Sequence, residues 1–398
     1  MTRAADVLVV GGGPAGTVAA LTLARRGVRV VLLEAHRYPR DKVCGDALIP
    51  DSLALLDALG LGERVRAGGH PVDALRVTAP GGATVRLEAP LVTIRRAELD
   101  RLLAGAAAEA GAEVCEGMSV RAPLREPEGR VVGVCAESDT GVASEHRAPI
   151  TILATGAASR MLDAFGVCAR STPSAIALRG YFRIPALDAR ELIISYEKPV
   201  MPGYGWLFPM GAEVANVGCG VFLRDGRPPE NLRSLFARFT TECAHVRDVM
   251  ARAEPIGRVE GAPLRCALEG AEPVGDGLLV AGEAIGTTYS LTGEGIGKAM
   301  ESGRLSAEAA AAALEAGRTD AAQLRGYVEA MQRAGFPERF GQYRVAQRWV
   351  RHPLVVDLLT RRAARSPRVK GMLEGVLREE VPPSELLSAR GVLRTLFA

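Results

Sequence analysis

At 398 residues, with 48% apolar side chains, 45 glycines and 24 prolines, the chain is long enough for one complex α/β unit or two to three interlocked domains, and too apolar for disorder. Its 49 basic and 46 acidic side chains leave a formal charge of +3, which gives no ground for nucleic-acid binding. No apolar run reaches the roughly twenty residues that span a bilayer, so the expectation is a cytoplasmic protein, peripheral at most to the inner face of the cell membrane.

The seven cysteines, Cys44, Cys115, Cys135, Cys168, Cys219, Cys243 and Cys266, are scattered and odd in number, and the five histidines are equally dispersed. Neither set has metal-ligand spacing or the density of a disulfide scaffold, so no metal site is expected.

The first elements are written in "DVLVVGGGPAGTVAALTLARRGVRVVLLEA": an apolar strand, a glycine-rich turn, a helix and a second apolar strand. Gly11-x-Gly13-x-x-Gly16 matches the dinucleotide fingerprint, in which the glycines allow a tight turn, close approach to pyrophosphate and close helix–strand packing. Pro14 and Ala15 open the helix, whose N-terminus favours an anionic pyrophosphate. Glu34 ends the second strand, where its carboxylate can accept bonds from ribose hydroxyls, and Ala35 follows it.

The next stretch, "YPRDKVCGDALIP", is a loop bounded by Pro39 and Pro50. Arg40 and Lys42 can meet phosphate, and Asp46 can orient a polar group or provide a proton. Cys44 has three readings: a thiolate nucleophile, a small residue packed against cofactor or substrate, or plain loop packing. No nearby histidine supplies an activating base.

Arg96 opens an amphipathic helix through "AELDRLLAGAAAEAG", with Leu99, Leu102, Leu103 and Ala106 toward the core. Ala154-Thr155-Gly156 follows another apolar strand. Around Ser171 to Val221 a substrate-side sheet is expected, with "ELIISYEKP" and "AEVANVGCGVF" as antiparallel strands joined by constrained turns. A helical segment follows near Asn231 to Met250. "DGLLVAGEAIGTTYSLTGEGIGKAMESGRLSAEAA" adds a strand, a glycine-bearing turn and an alanine-rich helix. Here Glu283, after Gly282, suits a ribityl hydroxyl, while Gly293, Gly295, Ile296 and Gly297 allow backbone to approach a flat ring and its pyrophosphate side. This second cluster makes FAD preferable to NAD alone. C-terminal helices are expected over Ala321 to Ala334 and Arg344 to Thr360, within a region mixing Trp349 and aliphatic residues with Arg and Lys. That mixture suits an anionic membrane surface, a lid over the cavity, or internal packing.

These motifs together resemble the flavoprotein superfamily of aromatic hydroxylases, flavin-dependent halogenases and geranylgeranyl reductases. The resemblance is carried by the initial fingerprint, Arg96-x-x-Leu99-Asp100, Ala154-Thr155-Gly156, and Gly282-Glu283 with the glycine-rich turn. The Gly282-Glu283 pair departs from the more frequent Gly-Asp. "PRDKVCGDALIP" is similar to the cysteine-bearing loop of geranylgeranyl reductases, with Asp46 in the Cys-Gly-Asp form of bacterial relatives acting on prenylated quinones. Tyr196, Gly203, Tyr204, Gly205, Trp206, Phe208 and Pro209 resemble the aromatic substrate segment of the same reductases. The halogenase pattern Trp-x-Trp-x-x-Pro is matched only in part, since Tyr204 stands at its first tryptophan.

The resemblance implies a discontinuous Rossmann-like FAD domain over 1–75, 95–165 and 255–317, an antiparallel-sheet substrate region over 76–94 and 166–254, and a C-terminal helical region over 318–398. The overall class is α/β with an α+β substrate part. It implies FAD-dependent reduction of C=C bonds in an isoprenoid chain, with electrons from NAD(P)H or a protein donor, and Arg96 beside the flavin. Tyr196, Tyr204, Trp206 and Phe208 would meet the chain, and Cys44 and Asp46 are the candidate catalytic residues. The alternatives are a monooxygenase or halogenase acting on an aromatic or alkene substrate, and a noncatalytic flavin-binding protein.

Overall fold

The computed structural model describes residues 5–188, 190–223, 227–228 and 230–391; positions 1–4 and 392–398 of the first and last expected units lie outside the described residues. Val7–Val10 and Val30–Glu34 are strands buried along their whole length. Runs that are apolar on both faces suit a parallel sheet covered on two sides. Helix Pro14–Arg25 joins them, with Pro14 in its first turn, where the missing N–H costs nothing.

These strands sit in a six-stranded sheet of order Val274–Gly275, Leu278–Val280, Ile150–Leu153, Val7–Val10, Val30–Glu34 and Glu113–Glu116. Every neighbouring pair is parallel except the first, so distant stretches of chain return to one nucleotide-type sheet. The alanine-rich helix Ile296–Glu315 lies directly on Pro14–Arg25. A Cβ on Gly303 would stand 2.1 Å from the Ala15 carbonyl oxygen, which accounts for a glycine in the middle of that helix.

A second sheet has eight strands, in the order Glu254–Leu264, Ala175–Arg183, Val214–Phe222, Tyr204–Pro209, Glu191–Ser195, His70–Thr78, Thr84–Thr93 and Ala47–Leu48. Only Glu191–Ser195 and His70–Thr78 pair in parallel. A three-stranded sheet, Met118–Arg125, Val131–Ser138 and Ala143–Arg147, completes the β structure among the described residues.

Three expectations change in detail. The larger sheet takes in His70–Thr78 and, as an edge strand, Glu254–Leu264, although 70–75 and 255–264 were assigned to the cofactor unit. Glu191–Ser195 and Val214–Phe222 are not partners: Tyr204–Pro209 lies between them and pairs antiparallel with both, so the two run in the same direction. The helix expected over Arg344 to Thr360 is two helices, Phe336–Val350 and Pro353–Ala363, because Pro353 has no N–H to continue the first.

The period of two along Tyr204–Pro209 decides which face of the large sheet does what. Leu207 joins a cluster with Val217, Cys219, Leu235 and Phe239, under the helix Leu232–Glu242. Tyr204, Trp206 and Phe208 point the other way, toward the six-stranded sheet.

Candidate active site

A cavity of about 770 Å³ lies between the two sheets, within the roughly 300–1,000 Å³ usual for small-molecule sites. The residues that follow three parallel strands reach it: Gly11 to Ala15, Ala35 and His36, and Ala154 to Gly156. Ligands of open parallel sheets bind outside the carboxyl ends of the strands.

Gly11 has a φ of +101°, and a Cβ there would lie 2.5 Å from the Ala154 carbonyl oxygen. Gly16 does not line the cavity; its role is packing, since a Cβ would stand 1.9 Å from the Gly11 carbonyl oxygen. Helix Pro14–Arg25 begins at Gly13 without a side-chain cap, which leaves first-turn N–H groups for an anion. Gly282 also stands behind the lining and donates nothing but its N–H, to the Ser302 hydroxyl at 2.8 Å.

The buried Glu34 carboxylate accepts from the Gly12 N–H at 2.7 Å and the His36 N–H at 3.0 Å, and pairs with Arg40 at 3.1 Å. Arg40 continues to Asp100 at 2.8 Å, and Arg96 holds the same carboxylate through two bonds of 2.9 and 2.8 Å. Asp100 therefore anchors two guanidinium groups beside the glycine turn, with Arg96 Nη2 at 3.8 Å from where a Gly13 Cβ would be. Across the cavity Lys42 Nζ donates to Glu283 at 2.9 Å, joining the cysteine loop to the second glycine cluster. The Thr155 hydroxyl is buried in the wall without a partner among the described residues.

The residues present fit FAD: a glycine turn whose backbone lines the cavity, an uncapped helix N-terminus, a carboxylate at the ribose position, and a wall hydroxyl with no partner among the described residues. Gly293, Gly295 and Ile296 lie on the same wall as Glu283.

The cysteine loop is held by a network that sequence reading did not foresee. Trp206 Nε1 donates to Asn216 Oδ1 at 2.9 Å, and Asn216 Nδ2 donates to the Cys44 carbonyl at 2.7 Å and to Asp46 Oδ2 at 2.8 Å. The Tyr181 hydroxyl donates to the same Asp46 oxygen, while Oδ1 has no partner among the described residues. The Tyr181 ring is flanked by the Arg95 and Arg179 guanidinium groups, each 4.4 Å from its centre. Burial pushes the Asp46 carboxyl up to about 6, with the Tyr181 and Asn216 bonds pulling it back. Asp46 adopts a φ of +65°, which turns the loop so that its own N–H donates to Cys44 Sγ at 3.3 Å. Burial, then the neighbouring Asp46, raise the Cys44 thiol above its ordinary value, which opposes a resting thiolate.

Tyr204, Trp206 and Phe208 form a tilted ring ladder with centres 6.0 and 6.3 Å apart, all in the cavity wall. A Cβ on Gly218 would lie 2.1 Å from the indole, so the facing strand makes room for Trp206. Phe208 in turn lies 3.2 Å from a Gly45 Cβ position, bringing the cysteine loop against the aromatic wall. Tyr196 stands outside the lining, with its ring centre 5.8 Å from that of Tyr204. Beyond the rings the wall is aliphatic, with Leu75, Leu91, Leu192 and Ile194.

Sequence reading missed Asn216, Tyr181 and Glu294. A lone polar residue inside the apolar run "VANVGCGVF" was the signal for Asn216. An acid between glycines in "TGEG" was the signal for Glu294, which lines the cavity and is raised to about 8 by burial and then by Asp51 and Glu379.

Comparison with known proteins agrees with this geometry. A family model described as an FAD binding domain matches residues 4–195. The menaquinone reductase of Mycolicibacterium smegmatis is 33% identical over 332 residues, covering 77% of this chain and 76% of that protein. Digeranylgeranylglycerophospholipid reductase 1 of Methanopyrus kandleri is 32% identical over 328 residues, covering 81% and 84%. Among solved structures, a geranylgeranyl bacteriochlorophyll reductase-like protein from Thermoplasma acidophilum superposes with a TM-score of 0.75 at 21% identity, covering 99% of this chain and 96% of that one. A flavin-dependent brominase superposes with a TM-score of 0.78 at 20% identity, covering 99% and 98%. The structural likenesses speak for the fold; the sequence relatives, matched over most of both chains, place this one in the geranylgeranyl reductase family of FAD-dependent oxidoreductases.

Proposed function

We propose that this protein reduces C=C bonds in an isoprenoid chain carried by a prenylated quinone or a lipid. The observation that carries the reading is the single enclosure that joins the glycine cradle to the aromatic and aliphatic wall. Relatives 33% and 32% identical to this chain are named menaquinone reductase and digeranylgeranylglycerophospholipid reductase. FAD, when bound, supplies the hydride chemistry.

In this reading the six-stranded unit holds the cofactor and the eight-stranded sheet supplies the substrate wall. Gly11 to Ala15 accept pyrophosphate, Glu34 turns toward the adenosine ribose, and Arg40 and Arg96 hold positive charge at the cradle. Glu283 and Lys42 meet the ribityl side. Tyr204, Trp206 and Phe208 bury the chain by apolar contact, which excludes water from the reacting bond. Cys44 marks the boundary between cofactor and chain as a neutral thiol, while Asp46 positions that loop through Asn216 and Tyr181. The Cys-Gly-Asp loop favours a prenylated quinone over the lipid. Reducing equivalents come from NAD(P)H or a protein donor. The exposed Leu354, at the start of a helix bearing Arg361 and Arg362, supports contact with an anionic membrane surface.

The test is turnover without oxygen, using chemically reduced FAD and a prenylated quinone, read by mass spectrometry. Gain of two hydrogens per reduced bond is expected. Strict dependence on oxygen, with an oxygen atom in the product, would replace this reading by a monooxygenase.

A further inference from the structure

Saturating an alkene needs a proton as well as a hydride, and two carboxyls lining the cavity bear on it, the buried Asp46 and the half-buried Glu294. They differ in what they touch. Asp46 has no exposed surface, and two donors, Tyr181 and Asn216, point into one of its oxygens. Those bonds pull its proton affinity back from what burial alone would give, to about 6, so at neutral pH it is mostly ionised and a poor acid.

Glu294 sits on the turn between Thr292 and Gly295, ahead of helix Ile296–Glu315. The Tyr289 N–H donates to its backbone carbonyl at 2.8 Å, which fixes the turn, and the Tyr204 hydroxyl donates to the Thr292 carbonyl at 2.7 Å, which ties it to the aromatic wall. The carboxyl accepts only a long contact, 3.3 Å, from the Thr292 hydroxyl, and it has no ion pair among the described residues.

Burial first, and then the acids near it, raise its proton affinity above the ordinary carboxyl range. Asp51, from helix Pro50–Ala58, and Glu379, after helix Pro367–Leu377, are both acids. Tyr196, Tyr204 and Tyr343 are phenols held neutral by burial. The nearby cation, Lys298, is committed to Asp51 at 3.5 Å, Glu379 at 3.1 Å and Glu301 at 2.9 Å, and Arg339 also pairs with Glu379. Asp51 itself is raised to about 6 by burial and then by Glu379, with Lys298 opposing. Glu379 and Arg339 also line a second depression of about 230 Å³, which gives that end of the cluster an opening of its own.

We infer that Glu294 is the acid that protonates the substrate alkene, and that the Asp51–Lys298–Glu379 cluster behind it keeps it protonated and returns its proton. The inference rests on the alkene-reductase reading above. The alkene accepts a hydride from the reduced cofactor at one carbon, its π bond breaks, and the other carbon takes the Glu294 proton. The O–H bond of Glu294 breaks to leave a carboxylate, the substrate is reduced by two electrons, and the cofactor is oxidised by the same two. The carboxylate regains a proton from solvent through the cluster.

Two measurements on E294Q and E294D test this. Flavin-free protein is examined first by infrared spectroscopy against pH: wild type should show a protonated-carboxyl band that titrates near pH 8, and E294Q should lack it. Persistence of that band in E294Q overturns the inference whatever the enzyme does. Next, flavin-loaded and pre-reduced protein is mixed anaerobically with the prenylated quinone. E294Q should keep its flavin and oxidise it on the order of 10²- to 10⁴-fold more slowly, the usual contribution of a general acid. E294D should restore part of the rate, and the wild-type rate should fall as pH rises through about 8. A wild-type rate and pH profile in flavin-loaded E294Q overturn the inference. Failure of wild type to reduce the chain, with the infrared band present, counts against the alkene-reductase reading and leaves Glu294 as the protonated acid of the cavity.

Discussion

Replacing Asp46 with asparagine isolates one buried charge with little change of shape. Tyr181 and Asn216 both donate to Oδ2, so an amide oxygen can take their bonds while the NH2 occupies the place of Oδ1, which has no partner now among the described residues. The φ of +65° is one that asparagine tolerates better than most residues. In the folded protein the carboxyl is raised from 3.8 to about 6 by burial. A raised folded value means that protonation favours the fold: this contribution is complete below about 3.8 and is lost as pH rises through about 6. At about 1.4 kcal/mol per pH unit the group costs the ionised fold about 3 kcal/mol at neutral pH. Urea denaturation of flavin-free wild type and D46N at pH 4 and pH 7 reads the difference, since other titrating groups are common to both. Wild type should lose about 2 kcal/mol more than D46N over that interval, since part of the contribution is already gone at pH 4. Parallel losses in the two proteins would refute the claim that burial governs this carboxyl.

Three further outcomes follow from contacts in the site. Gly16→Val places a side chain where a Cβ already lies 1.9 Å from the Gly11 carbonyl oxygen, so purified protein should lose its flavin absorbance; a full flavin complement would contradict the packing role of Gly16. Trp206→Ala removes a buried ring at a cost of about 3–5 kcal/mol in stability, and should weaken a long prenyl chain more than FAD when both affinities are titrated. Cys44→Ser should retain flavin and substantial turnover, because the thiol is held neutral; loss of product formation with flavin intact would place the sulfur in the reaction.

The nucleotide-type half of the molecule was legible because its signals are local. Val7–Val10, the glycine turn, the helix and Val30–Glu34 are consecutive, and each follows from apolar burial or from a steric demand met within a few residues. The return of Ile150–Leu153 and Leu278–Val280 to the same sheet could also be read, from short apolar runs ending in glycine-bearing turns. The larger sheet was harder. Tyr204–Pro209 has a mixed composition that suits a turn as well as a strand, and its place between Glu191–Ser195 and Val214–Phe222 depends on backbone bonds to both.

By itself, then, the sequence determined the cofactor class and the residues around the cradle, because a phosphate-binding turn is specified by glycines at fixed spacing. The aromatic residues were marked by resemblance, and only their placement on strand Tyr204–Pro209 shows that alternation sends Tyr204, Trp206 and Phe208 to one side. The tertiary structure alone decided how charge is distributed in the cavity. Asp46, Asn216 and Tyr181 meet from three separate segments, as do Glu294, Asp51 and Glu379, and a carboxyl's proton affinity is set by burial and by neighbours brought near only when the chain folds. Residue type along the chain carries no record of that solvent exclusion, so Asp46 drew notice only through its cysteine-bearing loop, and Glu294, Asp51 and Glu379 drew none before the fold was known.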